Sequence, residues 1–201
     1  DVTGELAGEV RLSLAHTDAD YDTACEAFRR GAREVTHLFN AMAPMTHREP
    51  GLIGAALDND EVGVELITDG FHVHPAAVRA AFQLFENRII LISDSMAATG
   101  LGDGVYTLGG QQVTVKGGRA SLGGGSTLAG STANLFDCMR RAVGMGVPLG
   151  QAVRSASTNP ARAIGIQHDY GSLEPGKLAN IILLDEDLNI NTLILRGQII
   201  D

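Results

Sequence analysis

Ile89-Ile90-Leu91-Ile92 is apolar at every position. A strand with one wetted face alternates apolar and polar residues. A strand with none reads as an unbroken run, and such strands belong to parallel sheets covered on both faces. A parallel neighbour requires a crossover, usually a helix, so the rest of the chain should alternate strand and helix. It does. Val10 to Leu14 reads as a strand, Asp18 or Asp20 can cap the helix that follows, and Gly31 closes it. Glu34 to Leu38 is the next strand, then a polar loop with Pro44 and Pro50, then a short helix over Leu52 to Leu57. Val62 to Thr68 is a third strand, and Pro75 suits the first turn of a helix reaching about Phe85. The order β-α-β-α-β-α-β predicts an α/β fold.

Beyond Ile92 the pattern changes. Tyr106 to Leu122 alternates and is broken by Gly109-Gly110 and Gly117-Gly118, which predicts a hairpin or small meander. Gly123 to Gly125 is a loop without the Lys that a nucleotide cradle needs. A long helix is predicted over Ser131 to Met145, with Arg140 and Arg141 at a solvated end, followed by helices over Leu149 to Ser157 and from Asn159-Pro160. Strands over Ala179 to Leu184, Thr192 to Leu195 and Ile199-Ile200 belong to a separate small β-layer.

Charge narrows the partners. The 201 residues carry 15 Lys and Arg against 24 Asp and Glu, a net charge of −9. Such a chain lacks the basic face that DNA, RNA or anionic lipid demands, and no apolar run is long enough to span a bilayer. A small anion would need a local cationic pocket. Cys25 and Cys138 fall in predicted helices and are expected as free thiols of a cytoplasmic protein. Asp1 to Glu9 reads as a join into the middle of a longer fold.

The residues suited to chemistry stand at strand ends. His16 follows the first strand, His37 the second, Asp69 and His72 the third, Asp94 the fourth. His16 and His37 are 21 residues apart and Asp69 and Asp94 are 25, about one βα unit each. Residues so spaced converge at the carboxyl edge of a parallel sheet, where active sites of such folds lie. Two His and an Asp there fit a metal centre with an adjacent acid or base, and equally fit hydrogen-bonded structural residues and a loop cap. His74 reads as loop packing or as support behind a site residue, His47 as solvated or as an aid to phosphate binding, and His168 as an inert residue of a surface turn.

Five segments occur in order: Thr36-His37-Leu38-Phe39-Asn40-Ala41-Met42, His47-Arg48-Glu49-Pro50-Gly51, Asp69-Gly70-Phe71-His72-Val73, Ser93-Asp94-Ser95-Met96, and Gly125-Ser126-Thr127-Leu128-Ala129-Gly130-Ser131. The ordered set resembles the N-acetylglucosamine-6-phosphate deacetylases of the metal-dependent amidohydrolase superfamily. The tail Gly171-Ser172-Leu173-Glu174-Pro175-Gly176-Lys177 resembles that superfamily's return into a small β-sandwich. The resemblance implies the second half of a TIM (β/α)8 barrel over residues 1–165, with a β-hairpin insertion at about 105–122, and sandwich strands over 166–201. It implies a divalent metal, zinc or iron-like, on His16 and His37, with Asp94 as catalytic acid and base. Asn40, Ala41, Arg48 and His72 would bind the sugar phosphate, Arg48 from a neighbouring subunit in one version, and Leu128 would line the acetyl pocket. The family shows Gly where Ala15 precedes the first His. The substrate implied is a small amino-sugar phosphate, and the complete enzyme is expected to be a homodimer.

A full barrel has eight βα units in about 250 residues. Four strands precede the hairpin here, and the third metal ligand of the family, a Glu from an earlier strand, has no counterpart; Glu34, Glu49 and Glu65 are poorly placed for it. The expectation is therefore a C-terminal portion of the enzyme, inactive or nearly so alone. The alternatives are an N-acetylgalactosamine-6-phosphate deacetylase and a non-catalytic sugar-phosphate-binding fragment.

Overall fold

The computed structural model describes Glu5 and residues 9–200, so most of the predicted joining segment lies outside the described residues. Four strands form a parallel sheet in sequence order: β1 (Leu12–Leu14), β2 (Ala32–Val35), β3 (Gly63–Ile67) and β4 (Ile89–Ile92). The helices between them are α1 (Tyr21–Arg29), α2 (Gly51–Leu57) and α3 (Pro75–Leu84). Asp20 caps α1 by accepting the Thr23 amide at 2.8 Å, and Pro75 occupies the first turn of α3. The first turn has no intrahelical use for these N–H groups, so a carboxylate or a proline costs nothing there.

One face of the sheet meets the helices. Ala32, Val35, Val64, Leu66, Ile89 and Leu91 pack there with Phe28, Leu52, Val78 and Phe82. Each fully buried side chain of this size contributes about 1.5–3 kcal/mol. The opposite face is polar towards β1 and β2: Arg11 pairs with Glu34 at 2.8 Å, and Ser13 bonds Thr36 at 2.5 Å. Only β4 is apolar on both faces.

After β4 come two antiparallel sheets. β5 (Gly104–Leu108), β6 (Gln111–Lys116) and β7 (Arg119–Leu122) form a meander with its own core of Met96, Ala98, Val113, Val115, Ala120 and Ala129. Helices α4 (Leu135–Gly144), α5 (Leu149–Ala156) and α6 (Thr158–Ala163) follow. β8 (Ile181–Leu184), β9 (Ile190–Leu195) and β10 (Gln198–Ile200) make the last sheet, ordered β10-β9-β8. None of the described helices is long and apolar enough to cross a membrane.

Three sequence expectations shift. The second strand runs over Ala32–Val35 rather than Glu34 to Leu38, because His37 adopts a left-handed backbone with φ 34° and leaves the ladder. The fourth helix begins at Leu135, not Ser131, because Ser131 bridges to Ser95 and Asn134 takes the cap. Arg141 does more than end a helix in solvent: its guanidinium donates to the Asp69 carbonyl, 72 residues away.

Gly171 joins α6 to the tail with φ 93°, and a Cβ there would lie 2.6 Å from Ala161 Cβ and 3.0 Å from the Ser157 carbonyl oxygen. Gly171→Ala is expected to destabilise the chain by about 2–3 kcal/mol, from left-handed strain plus overpacking against backbone. A lowered urea midpoint at unchanged slope checks it.

Candidate active site

The parallel sheet places one chemical residue at the same station on every strand. His16, His37, Asp69 and Asp94 each stand two residues beyond the last residue of β1, β2, β3 and β4. His16, His37 and Asp94 are left-handed, with φ 46°, 34° and 50°. Non-glycine residues pay steric strain there, and such strain persists where the surroundings over-determine it. The surroundings are visible. Thr36 N donates to Leu14 O at 3.0 Å, and Leu38 N to Glu65 O at 2.8 Å, so His37 is held between two neighbouring strands. Asp94 O accepts from Ser131 N at 2.8 Å and Met96 N donates to Ser131 O at 2.9 Å, gripping Asp94 from the α4 approach. Gly130 is part of this grip: a Cβ on it would stand 3.1 Å from Asp94 O.

His16 and His37 meet. Their Nε2 atoms are 2.9 Å apart, with ring planes at 61°. Either one ring donates to the other, or both turn their lone pairs to one cation. Tetrahedral ligation at 2.0–2.1 Å would separate two such nitrogens by about 3.3 Å, so the pair fits a shared divalent ion with a few tenths of an ångström of opening. His37 is 7% exposed, and its buried Nδ1 has no partner among the described residues. No group of three His, Cys, Asp or Glu side chains suited to a metal exists among the described residues. Glu65 lies near: burial, and then the charges of Glu34 and Asp94, hold its carboxyl above the usual range against a hydrogen bond from the His37 backbone. Asp94 is solvent-exposed.

His72 and Asp69 form a second constellation. The Asp69 carboxylate, 2% exposed, accepts the His72 ring Nδ1–H at 2.8 Å through Oδ2. Burial pushes Asp69 up, yet the bonds from the His72 ring and from the backbone N–H groups of His72 and Phe71 outweigh it, holding the carboxyl below the usual carboxylate range. The sequence reading missed this role of Asp69, although an Asp three residues before a His was the available signal. His74 is no part of the site; its Nδ1 caps α3 by accepting Ala76 N at 3.1 Å.

The loop after His37 is held by Asn40, whose carboxamide donates to His37 O and Leu38 O at 3.1 Å each. Asn40 N also donates to His37 O, at 3.0 Å, and Phe39 and Ala41 are left-handed at φ 75° and 49°. Arg48 is exposed on a turn closed by Thr46 N to Glu49 O at 2.9 Å, and no described residue pairs with its guanidinium. Leu128 bridges Ser121 of β7 at the mouth of the Gly-rich loop and is half-buried. Cys138 is buried and Cys25 half-buried, both free; burial, and then the charge of Asp69, push the Cys138 thiol up to about 11, so it is no nucleophile.

Polar strand-end residues gathered on the carboxyl edge of a parallel sheet mark the edge where α/β folds carry their ligand sites. The chain belongs to the amidohydrolase family, whose description, "Amidohydrolase family", matches residues 9–200. It is 41% identical to the N-acetylglucosamine-6-phosphate deacetylase of Vibrio furnissii over 192 residues, 95% of this chain and 48% of that protein. It is 41% identical to an N-acetylgalactosamine-6-phosphate deacetylase of Escherichia coli O157:H7 over 193 residues, 94% of this chain and 50% of that one. Its α/β fold, a parallel sheet with small antiparallel sheets, matches part of a solved deacetylase from Mycobacterium smegmatis in complex with N-acetyl-D-glucosamine-6-phosphate, at TM-score 0.93 and 41% identity, covering 98% of this chain and 53% of the other. The chain thus spans about half the length of each of these three relatives.

Proposed function

We propose that this chain carries the acid–base residue, two metal ligands and the sugar-phosphate contacts of an N-acetylglucosamine-6-phosphate deacetylase. In this reading residues 1–165 are the second half of a (β/α)8 barrel, with the meander inserted, and 166–201 belong to a small β-sandwich. The observation that carries it is the pair of converging Nε2 atoms 2.9 Å apart on adjacent strand ends, on a sheet whose fourth strand leads into Asp94.

His16 and His37 would hold a divalent ion, zinc or iron-like, together with a Glu from the part of the barrel that the relatives have in addition. Such an ion, when bound, would supply a water whose pKa falls towards about 7 and would polarise the amide carbonyl. Asp94 takes the proton of the attacking water as the C–O bond forms and passes it to the nitrogen as the C–N bond breaks, so the sugar leaves as a neutral amine. Arg48 binds the phosphate through its planar fork and supplies the local positive charge that an anion needs on a chain of net charge −9. Asn40, Ala41 and His72 hold the sugar and its phosphate, and Leu128 borders the acetyl methyl. Binding at the phosphate end thereby orients the distant acetamide.

The E. coli relative supports a second reading, with N-acetylgalactosamine 6-phosphate as substrate, at the same 41% identity. The test is acetate release from both sugar phosphates, with zinc, by the 201-residue chain alone and mixed with the N-terminal half of the Vibrio furnissii enzyme. Little turnover alone and recovery in the mixture are expected. Absence of turnover in the mixture, with no binding of either sugar phosphate to the chain, would sink the proposal. Zinc itself gives a second check. Two imidazoles without a carboxylate should bind it only weakly, and His37→Ala should abolish that binding in a metal titration.

A further inference from the structure

We infer that Asp69 is a positioning residue, whose carboxylate fixes His72 in the Nδ1-protonated form and leaves Nε2 as the atom that meets the substrate. The substrate half of this inference rests on the deacetylase reading; the imidazole half does not.

The geometry leaves Asp69 no other task. Its Oδ1 accepts Phe71 N and His72 N, each at 2.9 Å, and its Oδ2 accepts the His72 ring at 2.8 Å. An ionised carboxylate only accepts, so the ring nitrogen facing it must carry the proton. The neutral imidazole is then obliged to offer a lone pair at Nε2. With its oxygens committed and its side chain 2% exposed, Asp69 cannot reach a ligand and can act only through His72. Its seat is rigid from the other side as well. Arg141 of α4 donates to Asp69 O. The neighbouring Thr68 hydroxyl donates to Cys138 O at 2.7 Å. Two ties from one helix thus hold the end of β3. His72 is in turn 7% exposed at its side chain, enough to present one edge.

This arrangement makes Asp69→Asn a specific reversal rather than a loosening. Two backbone N–H groups still demand an oxygen at the Oδ1 position, so the carboxamide nitrogen must take the Oδ2 position and point at the ring. A donor facing Nδ1 needs a lone pair there, and the ring proton moves to Nε2.

The experiment is ring-nitrogen NMR on the 15N-histidine-labelled 201-residue chain, with N-acetylglucosamine 6-phosphate titrated into the same samples. Wild type is expected to show Nδ1–H at neutral His72, and Asp69→Asn to show Nε2–H with an affinity about tenfold lower. In a His72→Ala background, Asp69→Asn is expected to add no further loss, since Asp69 acts through that ring alone. An Nε2–H signal in wild type overturns the inference even if the variant does not fold. So does an unchanged ring signal in Asp69→Asn, or an equal loss of affinity when His72 is already absent. If the ring proton inverts but wild type binds no sugar phosphate, the substrate half falls with the deacetylase reading while the control of the imidazole by Asp69 is retained.

Discussion

Asp94→Asn is expected to lower acetate release from N-acetylglucosamine 6-phosphate by 10²–10⁴-fold, about the range by which a positioned acid–base group accelerates proton transfer. The carboxamide keeps the size of the side chain but cannot accept the water's proton or return it to the amine. An amide anion or unprotonated amine precursor is a poor leaving group, so bond cleavage stalls whatever the sugar's affinity. The backbone at Asp94 is fixed by Ser131 N at 2.8 Å and by its own left-handed φ of 50°, neither of which depends on the carboxyl. An Asn tolerates that φ better than most residues do. The loss should therefore fall on kcat, with KM for the sugar phosphate little changed, in the mixture of this chain with the N-terminal half. An unaltered kcat would remove Asp94 from the reaction. A raised KM at constant kcat would make it a binding residue instead.

Much of this site was legible because strand ends in a parallel sheet are a property of periodicity. The apolar run at Ile89 to Ile92, the 21-residue spacing from His16 to His37, and the cap residues Asp20 and Pro75 are local signals, and each appears where local physics puts it. What escaped was set by contacts distant in sequence. Ser131 looks helical in its own window, but its amide is taken by Asp94 O, 37 residues earlier, and the helix cannot begin until Asn134. The second strand stops at Val35 because Leu38 pairs across to Glu65 while His37 turns left-handed between them. Arg141 resembles any basic residue in a last turn; only the folded chain brings it to Asp69 O. Asp69 itself was visible as a strand end, while its hold on His72 required knowing that the side chain is buried.

Arg88 shows the same limit most strongly, and its replacement is expected to have the largest effect on stability. It closes the single turn of 3₁₀ helix at Glu86–Arg88 and looks in the sequence like an ordinary surface charge before a strand. In the fold its side chain is 16% exposed and reaches back past β3. One terminal nitrogen donates to Ala56 O and Asn59 O at 2.7 Å each and to Val62 O at 3.2 Å; the other donates to Leu57 O at 3.3 Å. Ala56 O and Leu57 O are at the end of α2, where no helical N–H can satisfy them, and Asn59 O, which also accepts Val62 N at 3.2 Å, belongs with Val62 O to the turn leading into β3. The guanidinium also lies 5.2 Å from the Phe85 ring centroid. Burial pulls its pKa down, against the charges of Asp60 and Glu86, and a guanidinium stays charged in a protein. Arg88→Met keeps the stem and removes every donor, leaving the carbonyls at the end of α2 without partners. At about 1–3 kcal/mol for each buried group left unsatisfied, partly recovered by water, the expected cost is about 3–5 kcal/mol. For a chain of this size that is a fall in Tm of about 10 °C. Arg88→Lys is expected to recover less than half, because a compact ammonium cannot reach carbonyls spread across the planar fork of an arginine. Urea unfolding of the three chains side by side tests this, and a loss below about 1 kcal/mol for Arg88→Met would show that water substitutes for the guanidinium and that α2 is held in place by Leu52, Ile53 and Ala56 alone.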